Sequence, residues 1–141
     1  KRHLMLFYQK IEKYDAIFTG EVVDVHQTSF GNELQPIVVT EVKLKVLISF
    51  KGISDDFAYI VMSNIGPDTY MELNGKIVTS IGENYPFSKG ENYLVYGNYV
   101  NKILETRLPF GYLSIGACAQ TKKMEEAQEE LDYLEKHTRK P

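Results

Sequence analysis

Val42-Lys43-Leu44-Lys45-Val46 alternates apolar and basic residues without a break. Successive side chains of a strand point to opposite faces, so Val42, Leu44 and Val46 face a core while Lys43 and Lys45 face water. The strand extends from about Ile37 to about Phe50. Lys51-Gly52 and then Asp55-Asp56 end it.

Working outward, Ala16-Ile17-Phe18-Thr19-Gly20-Glu21-Val22-Val23-Asp24-Val25 is rich in β-branched and aromatic residues and too short for a helix. It reads as the preceding strand, with Gly20 as a bulge or bend. Ser29 through Pro36 supplies turn residues between the two. Phe57 to Met62 is a third strand, and Asn64 to Gly75 is the least regular part, with Gly66-Pro67-Asp68 as a turn. Lys76 to Ile81 reads as a short strand. Phe87-Ser88-Lys89-Gly90-Glu91 turns into a strand over Asn92 to Tyr99, with Tyr93 and Tyr99 on one face. Asn101-Lys102 closes a hairpin to Ile103 through Leu108, and Tyr112 to Ile115 is a last short strand.

Helices flank this region. Leu4, Phe7, Tyr8 and Ile11 recur at helical spacing, which predicts a short amphipathic helix over about residues 3–14. After Thr121, a plausible N-cap, Met124, Ala127, Leu131 and Leu134 form an apolar stripe, while Glu125, Glu126, Glu129, Glu130 and Lys136 form a solvated side. The acidic first turns suit the helix dipole. Five or six short strands with flanking helices predict a mainly β domain, a small closed or partly closed antiparallel barrel. No repeat or linker divides it, so residues 1–141 read as one domain: helix about 3–14, barrel about 15–117, C-terminal helix about 122–137.

Composition narrows the function classes. The formal charge is -3 with acids and bases mixed along the chain, which argues against a nucleic-acid binder with its basic face. No apolar run approaches the ~20 residues that cross a bilayer. The apolar start after Lys1-Arg2-His3 breaks at Gln9-Lys10, too soon for a signal-peptide core. The chain opens on Lys1 and not Met, as a processed or trimmed chain would.

Enzyme chemistry finds no constellation. His3, His26 and His137 are far apart and match no zinc-ligand spacing, so they read as solvated or strand-edge residues. Gly111-Tyr112-Leu113-Ser114-Ile115-Gly116 lacks both the Gly two residues before Ser that a nucleophile elbow needs and the Lys that a phosphate loop needs. Asp55-Asp56 lacks the alternating oxygen ligands of a calcium loop. No metal, cofactor or catalytic residue is expected. The ten tyrosines offer a stacking platform for a sugar or small ligand, with Tyr93, Tyr99 and Tyr112 as its rings, or are ordinary half-buried strand residues. Cys118 is the sole cysteine. It is a buried thiol, a reactive one, or half of a disulfide whose partner lies outside this sequence. As a nucleophile it would need a base, and the sequence places none close.

The order of segments resembles the bacterial branch of the netrin-like (NTR) superfamily, proteins similar to tissue inhibitors of metalloproteinases. Tyr14-Asp15-Ala16-Ile17-Phe18-Thr19-Gly20-Glu21-Val22 resembles its opening "ADAVFxGxV" strand. Thr40-Glu41-Val42-Lys43-Leu44-Lys45-Val46 followed by Phe50-Lys51-Gly52 resembles the second strand with its aromatic-Lys-Gly turn. Phe87-Ser88-Lys89-Gly90-Glu91-Asn92-Tyr93-Leu94-Val95-Tyr96 resembles "FxxGxxYLVYA". Cys118, Thr121 and a helix with Ala127, Glu130-Leu131 and Tyr133-Leu134 resemble the closing "CxxTxxxxxAxxxLxxL" segment.

The resemblance implies an OB-like five-stranded antiparallel barrel with a helix packed on it, in an exported, cell-surface or lipid-anchored protein. It also implies a bond from Cys118 to a cysteine near the mature N-terminus, which would place Cys118 near the first helix or the start of the first strand. In animal inhibitors a Cys-x-Cys start chelates the target's zinc. Lys1-Arg2-His3 does not match it, so that mechanism transfers to no residue here. The expected function is a non-enzymatic extracytoplasmic module that docks on a protein partner, a metalloprotease among the candidates. The expected docking residues are Lys1 and Arg2 together with Phe30-Gly31-Asn32, where Phe30 is an apolar residue in a polar turn. The alternative is an oligosaccharide- or small-ligand-binding barrel that uses the tyrosines.

Overall fold

A computed structural model describes residues 6–31, 36–63, 71–73, 76–78, 85–99, 112–115 and 120–138. The protein is mainly β, an almost wholly antiparallel sheet with one helix from each end of the chain laid against it. Strands β1 (Ala16–Gly31) and β2 (Pro36–Lys51) form a long hairpin. Strand β3 (Phe57–Ser63) pairs with β2, and β6 (Asn92–Tyr99) pairs with the first part of β1 through residues 16–21. Strand β7 (Tyr112–Ser114) lies between β3 and β6, and the two-residue β8 (Lys122–Lys123) pairs with β6. The β3–β7 pairing is parallel, which departs from the expected all-antiparallel arrangement. Strands β4 (Met71–Leu73) and β5 (Lys76–Val78) form a separate two-stranded sheet.

The alternation in β2 sorts as its side-chain period requires. Val42 and Leu44 are fully buried and Val46 packs against them, while the Lys43 ammonium lies 4.4 Å from the centre of the Phe57 ring on the other face. Strand β6 differs in being buried on both faces. Tyr93 and Val95 enter a core with Phe18, Leu44, Ile60 and Leu113, whereas Leu94 and Tyr96 enter a second core with Ile17, Phe50 and the helices. A continuous apolar run such as Tyr93-Leu94-Val95-Tyr96 is what two covered faces demand.

Three bulges interrupt the β1–β2 register, between Ile17 and Phe18, Thr19 and Gly20, and Val22 and Asp24. The expected irregularity at Gly20 is the middle one. There the extra residue is on β2: Leu47 falls between Ile48, opposite Thr19, and Val46, opposite Gly20, and it is left exposed. The Ile48 N–H beside the bulge is taken up by the Thr19 hydroxyl at 3.1 Å.

Several expected boundaries move. Strand β1 runs on through the expected turn to Gly31, and Phe30 and Gly31 stand opposite Ile37 and Pro36. The N-terminal helix α1 (Phe7–Lys13) ends one residue before the expected limit, at Tyr14 as C-cap. The C-terminal helix α2 (Gln128–Thr138) starts later than expected, because Lys122–Lys123 pairs with β6 and Met124–Glu126 forms a 3-10 turn. Thr121 is therefore not a helix cap. It is buried, and its hydroxyl accepts the Tyr96 N–H at 3.2 Å, just past the β8 pairing. The expected hairpin over 103–108 lies outside the described residues.

One turn locks the start of β1 to the end of β2. Gly52 has φ +78°, and a Cβ there would sit 2.0 Å from the Asp15 carbonyl oxygen. Asp15 is held in turn, its N–H donating to Asn98 Oδ1 at 2.8 Å and its Oδ2 accepting the Tyr99 N–H at 3.0 Å. Gly90 has φ +90°, but nothing lies within 4 Å of its would-be Cβ. Gly90→Ala is expected to cost about 1–2 kcal/mol, the left-handed penalty alone. Gly52→Ala adds a backbone clash and is expected to cost at least about twice as much. Urea unfolding of the two variants checks the order, and equal losses would remove the clash from the account.

Candidate functional site

Helix α1 packs against α2 over the outer face of β1 and β6. Its apolar contribution is small: Ile11 and Phe7 are half-buried, while Leu6 and Tyr8 are exposed. The deepest side chain of α1 is a charge. Lys10 is 3% exposed and its ammonium lies 2.6 Å from Glu130 Oε2 of α2. Glu130 is 4% exposed; its Oε1 accepts Lys122 Nζ at 2.6 Å, and its Oε2 also accepts the Tyr96 hydroxyl. The Lys10 ammonium further lies 5.5 Å from the centre of the Phe7 ring and 5.2 Å from that of Tyr96. A carboxylate from α2 thus binds donors from α1, β6 and β8 at one buried point.

The electrostatics follow from that packing. Burial pushes the Lys10 ammonium below its ordinary pKa, against the opposing pull of Glu130. Burial alone would raise the Glu130 carboxyl, but hydrogen bonds from Lys10, Lys122 and Tyr96 outweigh it and hold the group below the usual carboxylate value. The Tyr96 phenol is pushed well up, first by burial and then by its bond to Glu130. Reading the acidic side of the helix as solvated is therefore corrected at Glu130. Its position on α2 faces β6, and only the register of α1, β8 and β6 brings the donors to it.

Lys1, Arg2, Asn32 and Cys118 lie outside the described residues, so the placement expected for Cys118 has no counterpart here. Phe30 and Gly31 end β1, and Tyr112 begins β7 opposite Tyr59. Tyr93 is fully buried, its hydroxyl accepting the Ser88 N–H at 2.9 Å and its ring edge-on to Phe87 at 4.9 Å. Tyr93 is thus a core residue, which corrects its place in a stacking platform. Tyr99 is half-buried and donates its hydroxyl to the Gly52 carbonyl at 2.6 Å.

One polar group on β1 and β2 was legible only as a strand histidine. His26 Nδ1 lies 2.6 Å from Asp24 Oδ2, and Nε2 lies 3.2 Å from Glu41 Oε1 on the neighbouring strand. The i, i+2 spacing of Asp24 and His26 was visible, but Glu41 joins them only through the register that places it opposite His26. Among the described residues no group of three His, Cys, Asp or Glu is arranged to hold a metal, and no helix is long and apolar enough to cross a membrane. In comparisons with known proteins, no family model and no curated protein matches the chain.

Glu130 carries a pH consequence. Its carboxyl sits below its ordinary pKa when folded and returns to it on unfolding, so its contribution is complete above the ordinary value and is lost as pH falls through the folded one. Urea unfolding between about pH 7 and 3 is expected to show a stability loss in acid that Glu130→Gln flattens. Tyr96→Phe, which removes one donor to the buried carboxylate, is expected to cost about 1.5–3 kcal/mol at neutral pH. An unchanged acid slope in the Gln variant would remove Glu130 as its source.

Proposed function

We propose that the chain is a non-enzymatic NTR-like module acting outside the cytoplasm, and that it docks on a protein partner through the far end of its β1–β2 hairpin. The observation that carries this reading is the reach of that hairpin. Residues 29–31 and 36–38 pair with each other and with no other strand among the described residues. A hairpin end paired with no further strand is a common place for a recognition element, since binding residues concentrate at such ends on a packed scaffold. Strand β1 ends at Phe30-Gly31, next to Asn32.

Two features support the NTR and OB-like part of the proposal. Pairing of β1 with both β2 and β6 would bring the order β1-β2-β3-β7-β6 round on itself, the five-stranded arrangement of an OB-like barrel. The segments that carry the family resemblance also meet in space: Asp15 touches Gly52 and bonds to Asn98 and Tyr99, Thr121 takes the Tyr96 N–H, and Ala127, Glu130 and Leu134 face β6. The sugar- or ligand-binding alternative is weakened by the burial of Tyr93.

A photocrosslinking residue in place of Phe30 tests the docking surface, with Phe57, 40% exposed on the sheet, as the control position. A discrete light-dependent adduct with one extracytoplasmic protein from position 30, and none from position 57, is the expected result. Equal labelling from both positions, or none from position 30, sinks the proposal. Inhibition assays against a metalloprotease panel separate the partner class: unaltered rates at stoichiometric protein would exclude inhibition and leave docking standing.

A further inference from the structure

We propose that α1 is a strap that opens as a unit about Tyr14, held shut chiefly by the Lys10–Glu130 clasp, with only a small apolar contribution from Phe7 and Ile11. The hinge is marked by where anchoring begins. Tyr14 is buried with its ring 5.3 Å from that of Tyr96, and Asp15 is tied to Asn98 and Tyr99. From Tyr14 onward the chain belongs to the sheet. On the other side of that point are the seven residues of α1, too few to persist as an isolated helix in water.

What attaches those seven residues is mostly polar. Phe7 meets Tyr133 at 5.2 Å between ring centres, and the Lys51 ammonium donates to the Ile11 carbonyl at 2.7 Å, both at partly exposed positions. Ile11 packs half-buried against the second core, and the fully buried contact is Lys10 on Glu130. A buried pair adds little when intact, yet removing one partner leaves the other charge uncompensated and strongly destabilises the closed state. Breaking the clasp therefore gives Lys10 a reason to leave for water. The least costly exit lifts α1 alone, because Lys122 is 31% exposed in its side chain and reaches water without moving. The groups facing the clasp are Lys10 and Phe7 on α1, Tyr96 on β6, Lys122 on β8 and Glu130 on α2.

Hydrogen exchange at neutral pH on the intact chain tests the strap. In Glu130→Gln the amides of residues 10–14 are expected to exchange about 100-fold faster or more, with the amides of β2 and β3 unchanged. The double variant Lys10→Met with Glu130→Met, which removes both charges at similar volume, is expected to bring those amides back to within about tenfold of the original rates. Unchanged α1 protection in Glu130→Gln overturns the proposal, and so does loss of α1 and sheet protection together. Exchange in the double variant as fast as in the single one overturns it too, since the opening would then not come from the uncompensated Lys10 charge.

Discussion

A carboxylate placed in an apolar seam must find donors, and the way Glu130 finds them organises this molecule. Its three partners come from α1, β6 and β8, elements far apart in sequence, so the seam between the helices and the sheet closes only when all are in register. Leucine in that position would pack against many arrangements of the same surfaces, while a buried carboxylate is tolerable in one. The apolar residues around it, Ile17, Leu94, Ala127 and Leu134, supply the driving force for burial. Glu130 supplies the selectivity among ways of achieving it.

A comparable division holds within the sheet. Alternating side chains fill the core, but three bulges and the Gly52 turn set the shape of the β1–β2 hairpin. Each bulge adds twist and bends its strand. Two place the extra residue on β2 and one places it on β1, so β2 is bent opposite the part of β1 that pairs with β6, and β1 is bent at Val23, just past that part. Beyond Asp24 the register runs unbroken to Gly31. The hairpin is thus curved where it must wrap a core and regular where it projects.

Features governed by local pattern were legible. The alternation in Val42-Lys43-Leu44-Lys45-Val46, the irregularity at Gly20, the β6 strand and the apolar stripe through Ala127 and Leu134 all follow from period and turn chemistry. What was not legible depends on partners supplied by other elements. Glu130 and Lys10 look like surface charges until α1 lies on α2, and Thr121 looks like a helix cap until the Tyr96 N–H claims its hydroxyl. Tyr93 looks like a stacking ring because one face of a lone strand is always free in sequence, whereas β6 is covered on both. The end of β1 differs from the sequence expectation for a related reason: Ser29 and Gly31 carry turn propensity, but the opposing residues of β2 keep the stretch paired.

These constraints lie at opposite ends of one strand. Ile17 sits under the helices and Phe30 at the far end of β1, thirteen residues on, roughly 40 Å along an extended chain. Sites that far apart with no shared partner contribute almost independently to stability. Coupling between them would require an element with two discrete arrangements that both ends could bias. The β1–β2 register between them runs unbroken from Asp24 to Gly31, and the register shifts nearer the helices fall beside Phe18, Val22 and Leu44 in the core. The proposed strap and the proposed docking tip thus lie at opposite ends of β1, and between them the strand is seated in the core by Phe18 and Val22, which neither proposal requires to shift.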